Sequence, residues 1–127
     1  MTPALIHAAK AAEEKAEEIL ILDLRTICDF ADYLMICHGF SDRQVLAIAD
    51  NIERKTRKAG FKVSHVEGRR SGDWVLMDYI DFVVHIFTEE KRKFYGLERL
   101  WGDAQTIPLE SLELPTVGEQ DRPGASA

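Results

Sequence analysis

The sequence predicts one α/β domain, a mixed sheet of about five strands with three helices. Three observations support that class. The chain has 127 residues, a length that favours a single domain. Helix-like and strand-like segments follow the order α-β-β-α-β-β-β-α. Several strand-like runs (ILIL, LMIC, FVVHIF) are apolar without alternation, as in strands covered on both faces. With 46% hydrophobic residues the chain has enough apolar matter to fold without disulfides or metal.

The elements can be justified in order. Residues 3–18 are rich in Ala, Glu and Lys, good helix formers, and Leu5, Ala8, Ala9, Ala12 and Ala16 form a thin apolar stripe. Such small residues suit close packing on a sheet. Residues 19–24 read as a first strand and 33–38 as a second. Gly39-Phe40 breaks the second strand. Ser41, with Gln44 three residues later, has the spacing of a capping box. Val45, Ile48, Ala49, Ile52 and Ala59 mark one face of the helix that follows, through Lys58, and Gly60 is placed to end it. Residues 61–66 read as a third strand and the polar 67–72 as a loop. Residues 74–79 and 82–87 are so close that a hairpin is expected. Thr88 can cap a last helix, with Glu89 and Glu90 in its first turn, running to about Trp101. On it Phe94, Leu97 and Trp101 are spaced to face the sheet, and Tyr95 lies off that line.

The domain is therefore expected to span residues 1–104. Residues 105–127 contain Pro108, Pro115 and Pro123, five-sixths of whose charges with Asp103 are acidic, and read as a flexible acidic tail. Docking of its first half through Ile107, Leu109, Leu112 and Leu114 is the alternative.

Charge limits the functions open to the chain. The formal net charge is −6, and the clusters Arg54/Lys55/Arg57/Lys58, Arg69/Arg70 and Lys91/Arg92/Lys93 are short. A broad phosphate-gripping face needs more concentrated cations, so no direct nucleic-acid site is expected. An acidic protein more readily meets a basic partner. Cys28 and Cys37 read as reduced thiols of a cytoplasmic protein. No secretory pattern opens the chain, and no apolar run approaches the ~20 residues of a membrane helix.

No catalytic constellation stands out. His7, His38, His65 and His85 lack metal-ligand spacing, and His85, inside FVVHIF, reads as a hydrogen-bonded sheet residue. Ser41 fits a helix cap better than a nucleophile. Two-metal nucleotidyl transfer needs carboxylates paired on a strand. Asp50 and Glu53 fall on a helix, and Asp78 and Asp81 bracket a turn. No catalytic, cofactor or metal residue is expected. The aromatic set is more informative. Trp74, Tyr79, Phe82, Phe87, Phe94, Tyr95 and Trp101 lie close in sequence, and three helices scarcely cover both faces of five strands. Some apolar surface should remain for a partner.

The segments ADYLMICHGFSDRQVLAIADNI and VEGRRSGDWVLMDYIDFVVHIFTEEKRKFYGLERLW carry a resemblance. In register are Asp32-Tyr33, Gly39-x-Ser41-x-x-Gln44-Val45, Glu67-Gly68, Trp74, Asp78-Tyr79, Asp81, Val84-His85, Phe94-Tyr95-x-Leu97-Glu98 and Leu100-Trp101. From about Leu5 to Ala104 the chain resembles the ribosomal silencing factor, or Iojap-like, family. The resemblance implies a nucleotidyltransferase-like fold without its metal-binding carboxylates, and a non-catalytic role. It implies binding to ribosomal protein fourteen of the large subunit and a block on joining of the small subunit, lowering translation when nutrients are scarce. Some members form homodimers, so a second copy is a further expected partner. The expected contact residues are Trp74, Leu76, Asp78, Tyr79, Asp81 and Tyr95, the apolar ones excluding water and the aspartates meeting basic groups. The alternative is a nucleotide-binding enzyme using Gly39–Ser41 and nearby acids. Many members have Gly where this chain has Ile80. A β-branched residue resists positive φ, so a different hairpin turn is expected here.

Overall fold

Pro3 occupies the first position of α1 (Pro3–Glu13), where its missing N–H costs nothing. The computed structural model describes residues 2–113 and continues as β1 (Glu17–Asp23), β2 (Tyr33–Gly39), α2 (Asp42–Lys58), β3 (His65–Glu67), β4 (Trp74–Asp78) and β5 (Phe82–Thr88). It then runs through α3 (Glu89–Tyr95), α4 (Leu97–Leu100), β6 (Gln105–Thr106) and a 3-10 turn at Leu109–Ser111. The sheet is mixed, as expected, but has six strands in the order β3-β4-β5-β2-β1-β6. Only β2 and β5 pair in parallel, with α2 in the crossover between them. All other neighbours are antiparallel.

Central β2 is buried along its whole length, which explains why YLMICHG lacks alternation. One sheet face carries Tyr33, Met35, Val75, Met77, Phe82, Val84 and Ile86 beneath α1 and α2. The alanine stripe lets α1 approach closely, and Ala8, Ala9 and Ala12 are fully buried. Asn51 of α2 donates to the Ala11 carbonyl at 3.0 Å, a last-turn acceptor that also takes Glu14 N at 3.2 Å, and so ties the end of α1 to α2. Ser41 Oγ accepts from Gln44 N at 3.1 Å, while Gln44 Oε1 accepts from Phe40 N at 2.8 Å. The capping box thus forms, shifted by one residue on the return bond.

On the opposite face Leu22, Leu24, Leu34, Ile36 and Phe87 form a smaller cluster, covered by Leu97 and Trp101. The corner between α3 and α4 sets that cover. Gly96 sits at φ 56 and breaks the expected continuous helix. The break turns Leu97 and Trp101 onto the sheet but leaves Phe94 outside, 73% exposed. The expectation that Phe94 shares their face is therefore corrected. Buried Arg92 holds the corner, donating to Glu98 Oε2 at 2.9 Å, the Glu18 carbonyl at 2.6 Å and His38 Nδ1 at 2.9 Å.

Other boundaries also moved. The first helix ends at Glu13, where Lys15 N and Ala16 N both turn back to the Ala12 carbonyl, and β1 starts at Glu17 with a bulge before Leu20 in which Glu18 lies at φ 44. The third strand shrinks to His65–Glu67, because Phe61 N turns back to the Thr56 carbonyl and the ladder with β4 begins only near Ser64. Packing does not stop at Ala104. Gln105 and Thr106 pair with Asp23 and Leu22, and Leu112 is buried at 4% exposure with Ile107 and Leu109 beside it. Those apolar side chains outweigh the prolines, so the first part of the expected tail docks. Leu114 and the rest of that segment lie outside the described residues. No helix among the described residues is long and apolar enough to cross a membrane.

Candidate functional site

Strand periodicity places Trp74, Leu76 and Asp78 on the partly open face of β4. The register with β5 sets Trp74 opposite Phe87, Leu76 opposite His85 and Asp78 opposite Val83. With Trp101 and Leu97 on one side and Phe30, His65 and Glu67 at the rim, these residues enclose a groove of about 490 Å³. The floor is apolar and half-buried, and Glu67 and Asp78 give it carboxylates. Phe30 is 74% exposed and meets Trp101 edge-on at 6.3 Å.

Trp74 is the most constrained side chain in the groove. Its indole N–H donates to His85 Nδ1 at 2.9 Å. Its ring lies 4.5 Å from Tyr95, 5.1 Å from Phe87 and 5.8 Å from His85, centroid to centroid. Burial pushes the His85 imidazole down from 6.5 to about 4, so the ring is neutral near pH 7. An Nδ1 that accepts places the single proton on Nε2.

Gly68 seats the start of β4. It lies at φ 90, and a Cβ there would come within 1.9 Å of the Trp74 carbonyl oxygen. The loop that follows is tied to α2 by Arg69, which bonds both Asp50 and Glu53. Those two acids are thereby committed to an ion-pair clasp. Ser41 is committed to its cap, and the Gln44 side chain fills the space beside Gly39. Among the described residues no three His, Cys, Asp or Glu side chains converge as metal ligands would.

The expected contact residues divide in three. Trp74, Leu76 and Asp78 come together in the groove, and the half-exposed Tyr95 does not line it but packs against Trp74. Asp81 is exposed in the turn beyond it, its carbonyl accepting from Asp32 N at 2.8 Å. Tyr79 does not belong with them. It is 8% exposed on the opposite face, stacked on Phe82 at 4.7 Å, with its hydroxyl 2.7 Å from Thr56 Oγ1. Strand parity puts it with Val75 and Met77 under α2, so its inclusion is corrected. Val83, His85 and Phe30 line the groove and were not among the expected residues. Two-residue spacing within FVVHIF pairs Val83 with His85, but their place opposite Asp78 and Leu76 needed the hairpin register. Phe30 sits in a connection with no periodicity to read.

The turn itself departs from expectation. Ile80 lies at φ 74, and Asp81 N donates back to the Tyr79 carbonyl at 2.9 Å. That is a γ-turn with positive φ, a strained geometry. Asp78 Oδ1 steadies it by accepting from Ile80 N at 2.8 Å. The local hydrogen bonds hold Ile80 in a conformation its side chain disfavours, so the residue adopts the positive φ it was expected to resist.

Fold and groove together define a mixed-sheet α/β domain that presents an apolar, acid-bearing groove on one half-covered sheet face. The family model described as ribosomal silencing factor during starvation matches residues 2–127, and the chain belongs to that family. It is 46% identical to ribosomal silencing factor RsfS of Bacillus subtilis, across 83% of this chain and 89% of the relative. It is also 35% identical to the chloroplastic protein Iojap of Zea mays, across 82% of this chain and 46% of that longer protein. The fold matches a crystal structure of a Chromobacterium violaceum protein with a TM-score of 0.76 and 35% identity, covering 80% of this chain and 88% of the other.

Proposed function

We propose that this chain silences ribosomes by steric occupation. It binds ribosomal protein fourteen of the large subunit through the Trp74–Leu76–Asp78 groove and denies the small subunit that space. The observation that carries this reading is the groove itself: a half-exposed aromatic and aliphatic floor, with Asp78 and Glu67 to meet a basic partner, on a chain of the silencing family. Apolar anchors exclude water at the centre, and the carboxylates steer a positively charged surface. Tyr95 extends the aromatic wall and Asp81 adds charge beyond it. No bond is made or broken in this mechanism. The cytoplasm as its compartment and a homodimer as a second assembly belong to the same proposal.

The test is co-sedimentation of the purified protein with separated ribosomal subunits, followed by a subunit-joining assay on the same samples. Binding to the large subunit alone, with joining suppressed in proportion, is expected. Trp74→Ala should weaken that binding roughly tenfold or more, as for truncation of a central aromatic anchor. Its circular dichroism spectrum should remain that of a folded protein. Absence of binding at moderate salt would sink the reading. Equal binding by the folded variant would remove the groove from it.

A further inference from the structure

We propose that His85 is a positioning residue, whose neutral Nε2–H tautomer fixes the Trp74 indole as the wall of the groove. The inference deepens the reading above and rests on it only for its effect on the partner.

The geometry is specific. Trp74 has one polar side-chain atom, the half-buried indole N–H, and a donor withdrawn from water needs an acceptor. Within the groove it is matched by His85 Nδ1 at 2.9 Å. The two residues lie on neighbouring strands two residues apart in register, since Leu76 stands opposite His85 and Trp74 opposite Phe87. The bond therefore runs diagonally along the groove floor. It fixes the indole against Tyr95 and Phe87, whose centroids lie at 4.5 and 5.1 Å, and so sets the orientation of its exposed edge. Aromatic contacts alone tolerate sliding and ring flips, and a directional N–H bond does not. The tautomer matters because a proton on Nδ1 would set two donors against each other. A wall fixed before binding spares the partner the cost of ordering it.

Two variants separate this role from simple filling of the sheet. His85→Leu removes the acceptor and keeps bulk. His85→Asn places an amide oxygen near the position of Nδ1. Of the two indole N–H signals in the NMR spectrum, that of Trp74 is the one lost in Trp74→Phe and that of Trp101 the one that remains. In His85→Leu the Trp74 signal should shift upfield and exchange faster with solvent, and in His85→Asn it should return toward wild type. Large-subunit affinity should fall about tenfold in His85→Leu, consistent with loss of one half-buried hydrogen bond and its ordering effect, and recover in His85→Asn. In a Trp74→Phe background His85→Leu should bring no further loss, because its effect passes through the indole.

An unchanged Trp74 signal in folded His85→Leu would overturn the proposal. So would an affinity loss of the same size in the Trp74→Phe background. If wild-type protein fails to bind the large subunit, the silencing mechanism falls, and the indole signal alone decides whether His85 positions Trp74.

Discussion

Two side chains of the β4–β5 hairpin illustrate how parity decides role. Tyr79 and Asp78 are adjacent, yet Asp78 faces the groove and Tyr79 lies under α2. Burial raises the Tyr79 phenol above its ordinary range, and its hydroxyl meets Thr56 instead of solvent. Tyr79→Ala should therefore lower stability by about 3–4 kcal/mol through a cavity beside Phe82. Tyr79→Phe should cost only about 1 kcal/mol, since Thr56 Oγ1 keeps the Ile52 carbonyl at 2.9 Å. Urea titration of both variants checks the ratio, and equal losses would contradict the packing described. His85 gives a pH-dependent counterpart. Its folded value near 4 lies below the unfolded 6.5, so only the unfolded state takes up the proton between those limits. The stability this group contributes is complete above about pH 6.5 and is lost as pH falls toward 4. The full difference is at most about 3 kcal/mol. His65 and Glu67 on β3 and Asp78 on β4 face the same groove. The part due to His85 is thus the difference between wild type and His85→Asn, measured by urea unfolding from pH 7 to 4. A variant curve parallel to wild type would assign the loss to the other groups. The hydrogen-bonded sheet role of His85 was legible from FVVHIF. Its bond to Trp74 was not, because it spans two strands whose register no local pattern states.

At the scale of elements, sequence signals were sharpest where chemistry is local and weakest where a distant contact decides. Ser41, Gln44 and Gly60 mark the ends of α2 because a cap and a left-handed glycine act within a few residues. The break at Gly96 escaped notice because Phe94, Leu97 and Trp101 keep helical spacing across it. The deciding partners are Glu18 and His38, far away in the chain, to which Arg92 reaches. The γ-turn at Ile80 is another case. Asp78 and the Asp81 contact with Asp32 fix the backbone, and Ile80 accepts positive φ at a cost of order 1–3 kcal/mol. Ile80→Gly should release that strain but widen the unfolded ensemble by about 0.5–1 kcal/mol. A net gain of about 1 kcal/mol is expected. It should appear as a higher urea midpoint with an unchanged slope. A lower midpoint would mean that the exposed isoleucine is held by packing and not forced by the turn.

For the whole molecule, the outcome turns on how two faces of one sheet are covered. α1 and α2, with Leu112 and its neighbours, cover one face, and the short α3–α4 corner closes only part of the other. That imbalance was foreseeable from three helices set against several non-alternating strands. The position of the gap was not, since it depends on the strand order β3-β4-β5-β2-β1-β6. The same order explains why the domain extends past Ala104. β1 would be an open edge beside β2, and Gln105–Thr106 caps it while Ile107 N donates to the Ile21 carbonyl at 2.8 Å. Leu112 then joins the main core, and the turn at Leu109–Ser111 just before it packs against β1. A chain ending at Ala104 gives up this edge pairing and the burial of Leu112. It should be less stable than one ending at Glu113 by at least the roughly 2–3 kcal/mol of a buried leucine. Amide exchange offers the sharper reading, because β1 amides should lose protection while β4 and β5, at the far side of the sheet, keep theirs. If the shorter chain matches the longer one in both stability and β1 protection, residues 105–113 add nothing to the core and the domain ends where the sequence alone placed it.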